Sequence, residues 1–384
     1  MTVLHVCHCW VPIDRESGGV ANVVRQLCLA SVAEGREVVL ICGDRELGRV
    51  VGDGAGSSHG GLTVHVLRQR ANPLRGPVGE LKRLLRTIRM PAVAHVHSCF
   101  SAFTEAAMAA LSARGVPFVF TPHGKLTTDA LSRRAWLKLM WWKLRARRCV
   151  NAARHITVCG YGEDRAFARL GIHPPVTVIP NGYDAPAGLA DLAAIEPTPY
   201  LLFLGYLDPR KQLPFLLRAY AGSSACRTHR LLLVGPDPYG HRAELEAEVA
   251  SLGLQDAVTF AGAAFGETKW RYLRHATAFV LPSRAEGQPV VLAEAMGAGC
   301  PVIMSAACNS SHLSECGAAI EVPGFRVEDW ATAIDRVCGD ASLQRLMRER
   351  AAGIAPDLAW PAITARYHRL YDRIAIEHAA RPTL

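Results

Sequence analysis

What this chain lacks narrows its class first. No apolar stretch approaches the roughly 18–20 residues that span a bilayer, so no transmembrane anchor is expected. The start, Met1-Thr-Val-Leu-His-Val-Cys, runs into a polar loop and reads as a first strand rather than a signal peptide. No CxxC pair occurs among the twelve cysteines. The one tight pair, Cys7-x-Cys9, would face one way on a strand and brings too few ligands for a zinc site. With Cys7, Cys42 and Cys159 in or beside apolar runs, the cysteines read as reduced, buried thiols of a cytoplasmic protein. No Asp-x-Asp occurs, so a metal-bridged diphosphate is not expected and no metal or other cofactor is assigned. Short repeats, low-complexity tracts and the GxGxxG of dinucleotide enzymes are also missing.

What is present fits two ordinary domains. The 384 residues are half hydrophobic and one-fifth charged, a globular composition long enough for two cores. The +9 net charge is uneven: residues 1–180 carry 24 Lys+Arg against 12 Asp+Glu, and residues 181–384 carry 19 against 22. An anionic partner is therefore expected on the first half only.

Strand and helix patterns alternate throughout, which indicates an α/β fold with parallel sheets. In the first half, strands are expected near Leu4–Cys9, Val38–Cys42, Leu62–Leu67, Val93–Val96, Phe118–Phe120, His155–Val158 and Val176–Ile179. The second half repeats the pattern near Tyr200–Leu204, Leu231–Val234, Val258–Ala261, Ala278–Leu281, Val302–Met304 and Ala319–Val322. The expected division is a domain over 1–182, a Pro-rich linker over 183–199, a second domain over 200–355 and a terminal helix over 356–384. Two doubly wound sheets would bind ligands at their strand C-terminal ends, in a cleft between the domains.

Glu286-Gly-Gln-Pro-Val-Val-Leu-Ala-Glu294 is the segment richest in chemistry. It follows a strand, and Pro289 suits a helix first turn. The free N–H groups of roughly residues 288–291, from Gln288 through Val290, would make an anion site with Gly287 before them. Carboxylates on either side of an anion site suit hydroxyl groups rather than phosphate, and a phosphate flanked by hydroxyl-rich rings describes a nucleotide sugar. Lys211, with Arg210 beside it, lies just past a strand end and is the best cation for a leaving diphosphate. Gly18 and Gly19 open a helix after the first strand, where glycine permits close backbone approach. His123 and His97 end strands. A solvated acid, a solvated Arg-Lys pair and a hydrogen-bonded structural histidine are the plainer alternatives at these positions.

The Glu286–Glu294 passage closely resembles the E-x7-E signature of family-4 retaining glycosyltransferases. Ser17-Gly-Gly-Val20, Thr121-Pro-His-Gly124, Ile179-Pro-Asn-Gly-Tyr-Asp184 and Leu204-Gly-Tyr-Leu-Asp-Pro-Arg-Lys211 resemble further landmarks of that family, in the expected order. The resemblance implies two Rossmann-like domains facing across a cleft (GT-B), acceptor side first and nucleotide side second, with the last helix crossing back. It also implies that Glu286 holds hydroxyls of the transferred sugar and that Glu294 holds the ribose. Lys211 and the Gly18-Gly19 loop would serve the phosphates, and His123 would lie against sugar and acceptor. Two departures stand out: Tyr206 replaces an arginine usual in the family, and Cys308-Asn-Ser-Ser-His312 replaces a frequent Asn-Leu-Pro-Glu.

A last segment, Arg133–Arg148, joins seven cations to three tryptophans with no acid between Asp129 and Glu163. Arg133, Arg134, Trp136, Lys138, Trp141, Trp142 and Lys143 on one helix fit an anionic membrane surface; inward-packed tryptophans are the alternative. The expectation is a cytoplasmic, membrane-associated retaining glycosyltransferase using a nucleotide sugar and a glycan or lipid-linked acceptor, with no nucleic-acid partner. A nucleotide-sugar epimerase and a catalytically lapsed sugar-nucleotide-binding protein are the competing readings.

Overall fold

The computed structural model describes residues 1–9, 11, 13, 19–44, 57–68, 78–132 and 135–380. The chain divides into two compact units, Met1–Pro180 with Trp360–Leu384, and Asn181–Ala359.

The first unit holds an eight-stranded sheet: β1 Thr2–Cys7, β2 Glu37–Asp44, β3 Ser57–His59, β4 Leu62–Arg68, β5 Val93–His97, β6 Phe118–Thr121, β7 His155–Val158 and β8 Val176–Val178. Its order is β3-β4-β2-β1-β5-β6-β7-β8. All pairs are parallel except β3 with β4. Parallel strands buried on both faces explain why β5 and β6 read as short continuous runs. β3 was not expected: three polar residues carry no periodic signal, and the strand is identified by its antiparallel pairing with β4. The helix Trp360–Ala379 belongs to this unit, where Tyr371 bonds His95 at 2.6 Å and His368 bonds Ser31 at 2.8 Å.

The second unit holds a six-stranded parallel sheet: β9 Tyr200–Leu204, β10 Arg230–Val234, β11 Val258–Gly262, β12 Ala278–Leu281, β13 Val302–Ser305 and β14 Ala319–Val322. The order β11-β10-β9-β12-β13-β14 reverses direction between β9 and β12. Residues 183–199 pack within this unit: Tyr183 N–H donates to Leu358 O at 3.0 Å, and Leu189, Leu192 and Ile195 lie against the core. Both units are thus Rossmann-like, and each half of the chain closes its own core. Among the described residues no helix is long and apolar enough to cross a membrane.

Candidate functional site

In a doubly wound sheet, the loops after the two strands flanking the order reversal diverge and leave a crevice at their C-terminal ends. In the second unit those loops follow β9 and β12. The β9 loop turns at Gly205, packed so tightly against Gly235 that a Cβ on Gly235 would lie 1.8 Å from Gly205 O. With Gly235 at φ +151, only glycine fits there. Asp208 then caps the short 3-10 turn Pro209–Lys211, accepting from Arg210 N at 2.8 Å. The turn places Lys211 Nζ 2.5 Å from Glu286 Oε1 on the β12 loop. Both side chains are mostly shielded, at 15% and 17% exposure.

Glu286 is fixed from two sides. Its N–H donates to Ala307 O at 3.2 Å, and its carbonyl accepts from Asn309 Nδ2 at 2.7 Å. Asn309 lies in the Cys308–His312 segment that departs from the family pattern, so that segment still serves the site. Gln288 is occupied internally: its Oε1 accepts from Asn181 N at 2.5 Å and its carbonyl from Asn181 Nδ2 at 2.8 Å. Gln288 thus ties the loop to the start of the unit through its side-chain and backbone oxygens. Pro289 sits one position before the helix Val290–Gly297 as its N-cap. Gly287 stays part-exposed ahead of that helix start. Glu294 is 8% exposed and accepts from Lys269 Nζ at 2.7 Å. Lys269 carries no motif and was not anticipated.

Arg210 is paired within its own turn. Asp208 grips its guanidinium at 2.7 and 2.9 Å, so its charge is already answered. Burial pushes Asp208 upward, but the Arg210 hydrogen bonds outweigh it and hold the carboxyl below its usual range. Tyr206 is half exposed at the β9 end. A cavity of about 450 Å³ beyond the Pro209–Lys211 turn is lined by residues including Gln212, Phe215, Arg284 and Phe325, but by neither Lys211 nor Glu286 nor Glu294.

In the first unit, Gly18, Arg133 and Arg134 lie outside the described residues. Gly19, at φ +59 with open space where a Cβ would stand, begins the helix Gly19–Ala33. His123 turns inward rather than outward. Its Nε2 lies 3.1 Å from His97 Nδ1, its Nδ1 3.7 Å from Cys159 Sγ, and His97 Nε2 bonds His5 Nδ1 at 3.1 Å. Both ring nitrogens of His123 therefore have protein partners. Burial holds His5 and His123 down to about 3, and His95 and His97 well below the usual range. The four imidazoles are neutral at physiological pH.

Around them the backbone is strained. Ser98, Phe100 and His123 take φ of 69°, 56° and 51° at the ends of β5 and β6, a concentration typical of functional loops. A fully buried carboxylate, Glu163, holds that backbone in place. It accepts from the N–H groups of Gly124, of Cys159 at 3.0 Å and of Gly160 at 3.5 Å. Nothing in the sequence marked Glu163, because its three partners come from two separate loops.

The basic segment is helical over Ala135–Asn151, with one π turn at Trp142–Ala146. The wider turn shifts the helix phase and sends Trp142 into the core, where it is 2% exposed and donates to Leu170 O at 2.9 Å. Trp141 is held half-buried by Glu105, to which its indole N–H donates. These two tryptophans are corrections to the expected membrane face. Lys138 also turns back, donating to Ala130 O. Trp136 at 68%, Leu144 at 75%, with Leu137, Leu139 and Met140, remain exposed beside Lys143, Arg147 and Arg148.

Comparison with known proteins gives a consistent result. Residues 17–185 match the family described as Glycosyltransferase Family 4, and residues 198–340 match Glycosyl transferases group 1. The chain is 31% identical over 210 residues to a D-inositol 3-phosphate glycosyltransferase of Nocardia farcinica (strain IFM 10152), covering 52% of this chain and 46% of that protein. It thus spans about half the length of that relative. To the GDP-mannose:cellobiosyl-diphosphopolyprenol alpha-mannosyltransferase of Xanthomonas campestris it is 25% identical over 375 residues, covering 96% and 95%. The solved structure of Anabaena Alr3699/HepE in complex with UDP and glucose shares the fold with a TM-score of 0.69 at 18% identity, covering 97% of this chain and 100% of that one.

Proposed function

The chain belongs to the family-4, group 1 glycosyltransferases of GT-B type, and from that premise we propose that it moves a sugar from a nucleotide-sugar donor to a glycan or lipid-linked acceptor. The transfer retains anomeric configuration, uses no metal and takes place at the inner face of the cell membrane. The observation that carries this reading is the Lys211–Glu286 pair at the order reversal of the second sheet. As the donor's glycosidic bond breaks, charge grows on the leaving diphosphate. The Lys211 ammonium, held on Glu286, and the helix N-terminus at Val290 four residues further on stabilise that charge. Glu286 accepts hydrogen bonds from the sugar's hydroxyls, and Glu294 from the ribose. The alpha-mannosyltransferase relative, whose name places its acceptor on a polyprenol diphosphate, supports a lipid-linked acceptor.

A thermal-shift screen of nucleotide sugars, followed by turnover with the best binder, tests the reading. Stabilisation by none of them would end it. Interconversion of a free nucleotide sugar would favour an epimerase instead. One observation favours the lapsed form: Tyr206 stands where an arginine is usual, and Arg210 is committed to Asp208. Donor binding with no turnover would establish that form.

Glu294→Ala is expected to weaken nucleotide binding at least tenfold, about 1.4 kcal/mol. It also removes the carboxylate that Lys269 pairs with, so a lower melting temperature is expected. Titrating nucleotide into the variant, with its melting curve beside it, measures both; wild-type affinity would remove Glu294 from the site.

Membrane attachment is read from the exposed apolar row Trp136, Leu137, Met140 and Leu144 flanked by cations. Trp136→Ser with Leu144→Ser should lower binding to anionic vesicles at low salt about tenfold or more. Equal sedimentation of wild type and variant with such vesicles, or no binding by either, would remove the membrane from the proposal.

A further inference from the structure

One face of the first sheet carries thiols and imidazoles where aliphatic side chains are ordinary. Cys42, Cys7 and His97 are register partners across β2, β1 and β5, and His5 pairs with His95 two residues earlier in the strands. Residues two apart on a strand share a face, so all of them look the same way. Cys28, on the covering helix Gly19–Ala33, packs into the same cluster as Cys7 and Cys42.

At the end of β1 the chain bends at His8 and Cys9. In an extended strand His8 would point to the opposite face from its neighbours. The bend cancels that alternation. Cys7 Sγ and Cys9 Sγ lie 3.0 Å apart, and one ligand atom from each of Cys7, His8 and Cys9 falls within 4.8 Å of the other two. The position is also the order reversal of the first sheet, where β1 lies between β2 and β5.

We propose that Cys7 and Cys9, with His8 supplying the ligand that the pair alone lacks, form a site for a thiophilic divalent cation of the Zn²⁺ class, separate from the transfer chemistry. Two sulfurs and an imidazole are the donor set such ions prefer. Binding replaces two S–H bonds by two metal–sulfur bonds and releases both protons to solvent, with no change of oxidation state. Bonds of about 2.3 Å at tetrahedral angles hold two sulfurs about 3.7 Å apart. The pair must therefore open by under about 1 Å, which Cys9, half-buried in the bend, can supply. A fourth position is left for water. The neighbouring His5, His95 and His97 also converge. There, however, His95 spends both nitrogens on Tyr371 and Thr121 at 2.6 Å, and a cation would have to break those bonds.

Chelator-stripped full-length protein titrated with Cd²⁺, a spectroscopic stand-in for Zn²⁺, tests the site. The expected result is one ion per chain, with a thiolate-to-metal charge-transfer band and about two protons released. Cys9→Ser should weaken binding about 100-fold and His8→Ala about tenfold, while Cys226→Ser in the second unit leaves it unchanged. His8→Ala, at a part-exposed position, keeps the test open if Cys9→Ser does not fold. A missing band, or a band unmoved by either substitution at residues 8 and 9, overturns the proposal.

Discussion

Lys211→Ala is expected to lower kcat for sugar transfer by about 10²–10³, or about 3–4 kcal/mol of transition-state stabilisation, while donor KM changes little. The ammonium is held 2.5 Å from Glu286 and mostly out of solvent, so its field on a developing diphosphate charge is weakly screened. Its loss also leaves Glu286 without its cation. For that reason the Glu286→Gln, Lys211→Ala double variant should lose less than the two single losses combined, as expected for groups in contact. Initial rates with the donor found by the screen decide the matter. Wild-type kcat in Lys211→Ala would take the lysine out of the chemistry, and simple additivity would mean that the pair does not act as a unit.

The second large effect is acid lability of the first unit. His5, His95, His97 and His123 have folded pKa values below the unfolded value of about 6.5. Their contribution to stability is therefore complete above that value and is lost as pH falls from about 6.5 toward 3. Below pH 6.5 the unfolded chain takes up protons that the fold refuses. His123, which keeps some exposed surface, contributes least.

Two carboxyls work against this trend. Burial lifts Glu105 to about 7, opposed by its bond from Trp141 and by Arg145, and burial raises Glu163 despite its three backbone donors. A raised carboxyl pKa favours the fold as pH falls, so both groups oppose the histidines. The four buried histidines outnumber these two carboxyls, so the net effect is a loss of stability as pH falls below about 6.5. Urea unfolding at pH 7 and pH 5.5 should show the midpoint fall sharply, and His95→Gln should flatten the dependence. Equal midpoints at the two pH values would contradict it.

Much of the fold is legible because it is written locally. Apolar runs bounded by Gly and Pro, alternating with helical spacing, located every strand except Ser57–His59, which has no hydrophobic pattern to read. Glu286, Glu294 and Lys211 stand out in the sequence as candidates because residue type and position next to a strand end already limit what they can do. The partners of Arg210, Gln288, Trp141 and Trp142 were not legible because they lie elsewhere in the chain or depend on helix phase. Asp208 claims Arg210, Asn181 claims Gln288, and a π turn rotates Trp142 inward. Glu163 and Lys269 went unnoticed because a buried carboxylate or lysine is recognised only by what surrounds it.

By itself, the sequence determined two α/β halves, an acid pair spaced along a loop and helix, and a basic helix in the first half. Local periodicity and covalent spacing carry that information. Only the tertiary structure decided that Lys211 meets Glu286 across 75 residues, that Lys269 meets Glu294 across 25, and that thiols and imidazoles share one sheet face. Those meetings follow from strand order, pairing register and helix phase, which are set when the whole core packs and are encoded in no single segment.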